Sequence, residues 1–135
     1  VSMRDYLNKK VKFREEFRPF APAVLDKYQK EFFELDQESP HMLIATKVKK
    51  NKKNSIPAVV HIDDTCRVQT VKESVNKKFY KLIEAFHKST GIPVLLNTSF
   101  NVRGQPIVNT PLEALETFKN TNIDVLAIGD FVLAK

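Results

Sequence analysis

The stretch SVNKKFYKLIEAFHKSTGIPVLLN, residues 74–97, decides the fold class of this chain. Its apolar residues recur at the spacing of one helix face and predict a helix from about Ser74 to Thr90: Val75, Phe79, Leu82, Ile83 and Phe86. Gly91 stands where a helix C-cap belongs, and Pro93 to Asn97 predicts a buried strand that enters a polar loop. A helix followed directly by a buried strand is typical of a sheet covered by helices.

The carboxy-terminal side of this stretch predicts one more helix and two strands. Thr110 and Glu113 have the spacing of a capping box around Pro111, so a helix is expected to begin there. Its apolar stripe consists of Leu112, Leu115 and Phe118. The runs from Asp124 to Ile128 and from Phe131 to Ala134 predict strands.

The amino-terminal side predicts a short helix and then an extended segment. Ser2 and Asp5 have the pattern of a helix cap. Two closely spaced prolines then exclude a regular helix and favour an extended segment that ends in Ala23-Val24-Leu25. The residues from Asp26 to Leu35 predict a further helix.

A hairpin is predicted in the middle of the chain, after a strand from Met42 to Val48. Two β-rich runs, from Ala58 to Ile62 and from Cys66 to Val71, flank the turn-forming residues Asp63-Asp64-Thr65. Hairpins argue against a purely parallel sheet. We therefore predict an α/β fold with a mixed sheet and packed helices, in a single domain that covers residues 1–135.

Composition is that of a globular domain without a membrane span. The 135 residues include 42% hydrophobic and 28% charged residues, and no apolar run approaches the roughly 20 residues that a span requires. Val1 is not an initiator methionine, so we expect a fragment of a longer protein. Cys66, the single cysteine, excludes an internal disulfide and favours a reducing, cytoplasmic setting; it is interpreted as a packed side chain rather than a nucleophile.

The net charge of +6 comes mostly from one lysine-rich segment, which holds Lys47, Lys49, Lys50, Lys52 and Lys53. Without them the chain is nearly neutral. A lysine run that lacks interleaved aromatic or arginine residues is typical of a solvated loop. The remaining alternative is nonspecific contact with nucleic-acid phosphates.

Three polar clusters stand beside apolar strands. In the first, Lys12, Arg14 and Arg18 share one face if the segment is extended, and they either bind an anion or pair with Glu15 and Glu16. The second consists of His61, Arg67 and Gln69 across the predicted hairpin. The third runs from Asn97 to Gly104 and includes Ser99, Asn101 and Arg103; it is either an anion-binding loop or an ordinary polar turn.

The motifs at these clusters resemble a known family. They are KFRE at 12–15 with FRPFAP at 17–22, HID at 61–63 with RVQ at 67–69, and NTSFN at 97–101 with PIV at 106–108. In this order they resemble the carboxy-terminal domain of the carbamoyltransferases of the nodulation and antibiotic-tailoring type. The resemblance covers almost the whole chain.

The resemblance implies a fold, a reaction and a second domain. The fold would be similar to the YrdC-like α/β fold of threonylcarbamoyl-adenylate synthases. Carbamoyl phosphate and ATP, accompanied by Mg²⁺, would react here to give carbamoyl adenylate. A preceding actin/hexokinase-like domain related to the Kae1 proteins, with its own metal, would then pass the carbamoyl group to a hydroxyl acceptor.

Residues are assigned by the same resemblance. The family's lysine-x-arginine and serine-x-asparagine pairs correspond here to Lys12/Arg14 and Ser99/Asn101. Carbamoyl phosphate would be bound by five residues: Lys12, Arg18, Arg67, Asn97 and Ser99. A second tier for the nucleotide or anion is Arg14, His61, Gln69, Asn101 and Arg103. No catalytic residue and no metal ligand is assigned in this chain.

Two other functions compete with this one. The first is a basic, YrdC-like module that binds RNA or nucleotide through the lysine-rich segment without catalysis of its own. No recognisable RNA-binding motif supports it, so nucleic acid and membrane are not expected as partners. The second is a non-catalytic domain that only buttresses a neighbouring domain.

Overall fold

The computed structural model of the chain describes residues 3–13, 15, 18 and 20–135. These residues divide into two compact units. The sheet unit comprises the described residues of 19–98, and the terminal unit comprises those of 1–18 together with 99–135. Among the described residues, no helix combines the length and the apolar character needed to cross a bilayer.

The sheet unit is built on a mixed three-stranded sheet. Strand β1 (Ala21–Leu25) is the central strand, parallel to β4 (Gln69–Val71) and antiparallel to β5 (Val94–Asn97). Helix α3 (Lys77–Thr90) packs on this sheet through a core of Ala23, Leu25, Val71, Tyr80 and Ile83. The predictions of an extended segment ending at Leu25 and of a strand after Gly91 are confirmed, although only Val94 of β5 is buried.

Helix α3 differs from its prediction at its start and in its buried face. It begins at Lys77 because the side chain of Asn76 caps it, accepting a hydrogen bond from the backbone N–H of Phe79. Gly91 ends it in the left-handed conformation, with φ of 76°, as the sequence predicts. Tyr80 and Ile83 are the helix residues that pack on the sheet, whereas Leu82 is 58% exposed.

The predicted central hairpin is wrong. Strand β3 (Thr65–Arg67) pairs with β2 (Ala45–Lys47) in a separate antiparallel sheet, not with residues 58–62. Pro57–Val59 forms a 3₁₀ turn instead, with Pro57 at its first position, where the fixed φ of proline suits a helical turn. Strand β2 is also shorter than predicted, since Met42 has a φ of 56° that interrupts extended structure.

The helix predicted from Asp26 to Leu35 is shorter in the structure. A 3₁₀ turn, Asp26–Tyr28, leads into α2 (Gln29–Phe32), and the helix ends because Phe33 is extended and forms an isolated bridge with Val48. Phe33 is 1% exposed and Val48 is 2% exposed, so this bridge lies in the core. Tertiary packing therefore overrides the local helical pattern here.

In the terminal unit, a helical amino-terminal segment accompanies a helix and a hairpin. Helix α1 (Met3–Tyr6) continues into a π-helical segment, Leu7–Lys12. Helix α4 (Pro111–Lys119) has the predicted capping box of Thr110 and Glu113. The remaining strands, β6 (Val125–Ile128) and β7 (Phe131–Ala134), form the antiparallel pair that ends the chain.

The core of the terminal unit lies between α4 and β6. It consists of Ala114, Phe118 and Leu126, with Phe100, Val108, Leu115, Ile123 and Ile128 packed against it. The predicted stripe is therefore correct at two positions, while Leu112 is 65% exposed. The cap predicted at Ser2 lies outside the described residues.

The mixed α/β architecture is confirmed, and the described elements are compatible with the YrdC-like fold. One expectation about the amino terminus is wrong: Lys12 closes a helical segment rather than lying in a strand, and Phe13 follows it in the left-handed conformation with φ of 50°. Arg14, the proposed neighbour on the same face, lies outside the described residues. The assignment of residues 1–135 to one domain stays a prediction.

Candidate functional site

A cavity of about 360 Å³ in the terminal unit collects the largest group of predicted site residues. We refer to it as the cationic cavity; its lining residues are Lys12, Glu15, Arg18, Ser99, Asn101, Val102, Arg103, Gly104 and Gln105. The structure thus brings together Lys12, Arg18, Ser99, Asn101 and Arg103 from the sequence assignment. Most of its wall is a single loop, residues 99–105.

The side chain of Lys12 is bonded to this loop by several hydrogen bonds. The residue is 4% exposed. Its Nζ donates to the backbone oxygens of Ser99 at 2.5 Å and of Asn101 at 2.8 Å, and to Asn101 Oδ1 at 2.8 Å. Ser99 Oγ lies further away, at 3.4 Å. An ammonium group has three N–H donors, and the three close oxygens can each accept one of these hydrogen bonds.

Asn101 completes the internal network of the loop. Its Oδ1 also accepts from Ser99 Oγ at 2.7 Å, and its Nδ2 donates to the backbone oxygen of Gln105 at 3.0 Å. The backbone N–H of Gln105 in turn bonds to the oxygen of Val102 at 3.1 Å. Gly104 has a φ of 78°, which this turn requires and a residue with Cβ rarely adopts. The loop is consequently preorganised.

The two arginines at the cavity share one carboxylate. Arg18 Nε lies 3.7 Å from Glu15 Oε2, and Arg103 Nη2 lies 3.8 Å from Glu15 Oε1. Their side chains are 56% and 68% exposed, so both guanidinium groups are accessible to a ligand. The pairing with Glu15 that the sequence left as an alternative is therefore present, but exposed pairs of this length are weak.

Hydrogen bonds to the backbone of Arg103 and Arg18 hold the main-chain positions of these two residues. The N–H of Arg103 donates to the backbone oxygen of Lys12 at 3.1 Å, and Asn8 Nδ2 donates to that of Arg18 at 3.1 Å. Asn8 is fully buried, and sequence reasoning missed its role. The available signal was an asparagine, a poor helix former, within a predicted helical segment.

Four other predicted residues belong to the sheet unit: His61, Arg67, Gln69 and Asn97. Asn97 and Gln69 lie on the two strands that flank β1, and Asn97 Nδ2 donates to Gln69 Oε1 at 2.6 Å across it. Gln69 Nε2 also donates to the oxygen of Pro40 at 3.2 Å. Both side chains therefore have partners within the sheet unit.

The structure does not have the predicted arrangement of His61, Arg67 and Gln69 across one hairpin. Arg67 and Gln69 are separated instead. They lie on β3 and β4, which belong to different sheets, with buried Val68 between them. The Arg67 side chain is exposed and makes no hydrogen bond or ion pair with the described part of the chain. The two nearby carboxylates have other partners, since Asp63 accepts from Thr65 and Asp64 pairs with Lys53 at 2.5 Å.

His61 lies in a turn rather than in a strand. Its backbone N–H donates to the oxygen of Thr65 at 2.9 Å. Partial burial lowers the pKa of His61 below its usual value; the Asp63 carboxylate opposes this shift and the Arg67 cation adds to it. The imidazole is therefore held toward its neutral form.

The lysine-rich segment is more ordered than a solvated loop. Lys50–Ser55 forms a 3₁₀ helix. Lys52 pairs with Glu31 and lies 4.7 Å from the ring centroid of Phe32, and Lys53 pairs with Asp64. The solvated-loop interpretation is thus wrong for Lys52 and Lys53, whose side chains are only 25% exposed.

Cys66 is fully buried, and this burial raises the pKa of its thiol to about 12, in agreement with a packed rather than nucleophilic side chain. Within the described ranges, no group of three or more His, Cys, Asp or Glu residues could hold a metal ion.

Comparison with known proteins identifies the family. The family model described as "Carbamoyltransferase C-terminus" matches residues 1–135. Nodulation protein NolNO of Sinorhizobium fredii is 44% identical over 135 residues, which cover 98% of this chain and 20% of that protein. Nodulation protein NolO of Bradyrhizobium diazoefficiens is 42% identical over 98% of this chain and 25% of its own length.

An uncharacterised protein of Synechocystis is 41% identical to this chain. The alignment covers 100% of this chain and 25% of that protein. The chain thus spans between a fifth and a quarter of the length of these relatives. The match to the family model runs through the cationic cavity and through both units. The chain belongs to the carbamoyltransferase C-terminus family.

Proposed function

We propose that this chain is the part of a longer carbamoyltransferase that binds carbamoyl phosphate and ATP. The observation that carries the proposal is the convergence of Arg18 and Arg103 on one carboxylate, Glu15, in the wall of the cationic cavity. Guanidinium groups match phosphate oxygens in a bidentate geometry. In a family of carbamoyltransferases, two accessible arginines at a preformed loop support a phosphorylated carbamoyl donor as the ligand.

Exchange of Glu15 for carbamoyl phosphate is favourable on simple electrostatic grounds. Exposed ion pairs contribute only about 0–1 kcal/mol, so the arginines lose little when they leave Glu15. A phosphate dianion carries more charge and more acceptor oxygens than one carboxylate. Lys12 adds a third positive charge at the cavity wall, although its hydrogens are directed to the loop oxygens.

The proposed reaction is adenylation of a carbamoyl group. Carbamoyl phosphate reacts with water to give carbamate and phosphate, and a carbamate oxygen then attacks the α-phosphorus of ATP. Carbamoyl adenylate forms and pyrophosphate leaves. No general base is required for the second step because carbamate is already ionised. The role of this chain is to position the reactants and to offset their negative charges.

Mg²⁺ is proposed to accompany ATP and to neutralise charge on its phosphates. Proteins usually hold this ion through one or two carboxylates together with substrate phosphates. Glu15 provides one such carboxylate in the cavity lining. Its position between two arginines also fits a residue that exchanges partners when ligands bind.

Transfer to an acceptor is assigned to the remainder of the longer protein. The relatives are four to five times as long as the matched region, and we propose that a Kae1-related, metal-containing domain there supplies the hydroxyl acceptor site. We also propose a cytoplasmic location. Arg67 and Asn97 remain predicted ligands of carbamoyl phosphate, and Arg14, His61 and Gln69 remain second-tier residues.

Pyrophosphate release tests the proposed reaction. We expect the chain to release pyrophosphate only when carbamoyl phosphate, ATP and Mg²⁺ are all present, with carbamoyl adenylate detected by mass spectrometry. Arg103→Gln should lower this rate about tenfold or more, the effect of losing one charge-assisted bond. The exposed Lys81 offers a control, Lys81→Gln, that should retain the rate. A chain that binds both ligands but forms no adenylate would contradict the assignment.

A further inference from the structure

We propose that strand β7 is the contact through which two copies of this chain form a symmetric dimer, each β7 pairing antiparallel with β7 of the second copy. This strand has the sequence Phe131-Val132-Leu133-Ala134 and pairs with β6 in a two-stranded sheet. All four residues are exposed, Phe131 by 74% and Val132 by 72%. A dimer at this strand does not depend on the proposed binding of carbamoyl phosphate or ATP.

The two strands of this sheet differ in how far the terminal unit covers them. Leu126 of β6 packs in the core with α4. Both faces of β7 are exposed, because successive side chains of a strand point to opposite faces. Native proteins protect such an edge with charged residues, proline or a covering element. β7 contains neither a charged residue nor a proline, and in the described part of the chain only β6 pairs with it. This edge is therefore suited to accept another strand.

The outer edge of β7 presents the backbone groups of Val132 and Ala134. The N–H of Lys135 donates to the backbone oxygen of Asp124 at 3.1 Å, which continues the register of β6 and β7 by one residue. In an antiparallel pair, every second residue bonds to the same neighbouring strand. The odd-numbered residues of β7 therefore bond to β6, and Val132 and Ala134 direct their N–H and C=O groups away from it.

A two-fold dimer centred on Val132 satisfies this edge. With Val132 opposite the partner's Val132, the two residues exchange two N–H···O bonds, and Phe131 lies opposite the partner's Leu133 on the same face. Moving the centre by one residue would place either Phe131 opposite the partner's Lys135 or Val132 opposite the partner's Asp130. The register centred on Val132 thus keeps all three large apolar side chains of β7 opposite apolar side chains.

Charge and contact area fit a dimer of moderate strength. Asp130 would lie opposite the partner's Ala134, away from its own copy, so no like charges meet at the two-fold axis. Lys135 is engaged within its own copy, where its Nζ donates to the backbone oxygen of Phe118 at 2.6 Å. Three apolar residues from each copy give a contact smaller than the roughly 1,200 Å² of a stable complex. We therefore expect a dissociation constant on the order of 10–100 μM.

Sedimentation equilibrium on the 135-residue chain tests the dimer. We expect monomer and dimer in a concentration-dependent equilibrium. Val132→Lys removes an apolar pair and places two like charges opposite each other, so the dissociation constant should rise about tenfold or more. Its Tm should stay near the parental value because the position is exposed. Val125→Lys is the matched control: Val125 is 53% exposed on the same face of β6, and its substitution should change the dissociation constant by about twofold or less.

Disulfide cross-linking tests the register of the two strands. In a hydrogen-bonded antiparallel pair the two Cα atoms lie about 5.5 Å apart, which is within the span of a disulfide. Val132→Cys should therefore form a covalent dimer when oxidised glutathione is added, whereas Val125→Cys should not. Cys66 is buried and does not compete.

A chain that stays monomeric at about 1 mM would overturn the dimer, and the rest of the longer protein would then be the candidate to cover this edge. A dimer that tolerates Val132→Lys would also overturn the proposal. Loss of that dimer in Val125→Lys would place the contact on β6, and loss in Leu82→Lys would place it on the exposed side of helix α3. A dimer in which Val132→Cys forms no cross-link would exclude the register centred on Val132.

Discussion

The ammonium group of Lys12 donates to both the backbone oxygen and the side-chain oxygen of Asn101, each at 2.8 Å. This relationship joins the end of the amino-terminal helical segment to the loop that forms the wall of the cationic cavity. Because Lys12 is almost fully buried, its main structural effect is to hold the loop in the shape that presents Arg103. We therefore expect Lys12 to influence the proposed ligand binding largely through the loop.

Replacing Lys12 should loosen this loop and destabilise the protein. Lys12→Met removes the ammonium donor from the backbone oxygens of Ser99 and Asn101, while Asn101 Oδ1 keeps only the hydrogen bond from Ser99 Oγ. An unsatisfied buried polar group costs roughly 1–3 kcal/mol. We expect a lower Tm, and faster amide hydrogen exchange concentrated in residues 99–105. Lys10→Met removes an exposed lysine of the same segment and should leave both quantities near the parental values. Uniform exchange changes over the whole terminal unit would contradict a local role for Lys12.

Removing the charge of Glu15 should strengthen anion binding. Glu15 pairs with Arg18 and Arg103, and its carboxylate would repel an incoming phosphate. Glu15→Gln should tighten carbamoyl phosphate binding, measured without Mg²⁺, by about three- to tenfold, since screened charges near a surface interact by about 1 kcal/mol. Weaker binding in this variant would show that the carboxylate contacts the ligand directly.

Arg67 separates a ligand-binding role from a structural one. Its side chain is exposed and has no ion-pair partner within the described ranges, so Arg67→Gln should leave Tm nearly unchanged. If it binds carbamoyl phosphate, affinity should fall about ten- to a hundredfold, and Arg67→Lys should recover only part of it. Parental affinity in both variants would remove Arg67 from the proposed site.

His61 should make stability depend on pH. Its pKa is lower in the folded protein than the ordinary 6.5, mainly because of burial. Between the folded value and about 6.5 the unfolded state binds more protons, so stability rises with pH across this window and is reduced below it. His61→Gln should flatten the slope of unfolding free energy between pH 5 and 7. An unchanged slope would show that other titratable groups, and not His61, cause the pH dependence of stability.

Local signals account for the parts of the fold that the sequence predicted correctly. The capping box at Thr110, the C-cap at Gly91 and the two carboxy-terminal strands each depend on residues close together in the chain. The central hairpin failed because β3 pairs with Ala45–Lys47, which are distant in sequence. Local pattern cannot choose between two partners of similar β propensity.

The candidate site was predictable in composition but not in its internal contacts. The resemblance assigned Lys12 and Ser99 to carbamoyl phosphate and Asn101 to the second tier, and the structure joins these three residues by hydrogen bonds. Lys12 makes these contacts from the end of a helical segment, whereas the sequence predicted a strand there. The central position of Glu15 between two arginines could not be predicted, because it depends on the path of the loop at Arg103.

The affinity of the chain for carbamoyl phosphate tests the central claim most directly. We expect saturable binding with one site in a calorimetric titration at low salt. The double variant Arg18→Gln/Arg103→Gln should weaken it about a hundredfold while retaining the parental Tm within a few degrees, because both side chains are exposed. Binding that persists at parental strength in this variant, or no binding by the parental chain, would contradict the assignment of the cationic cavity.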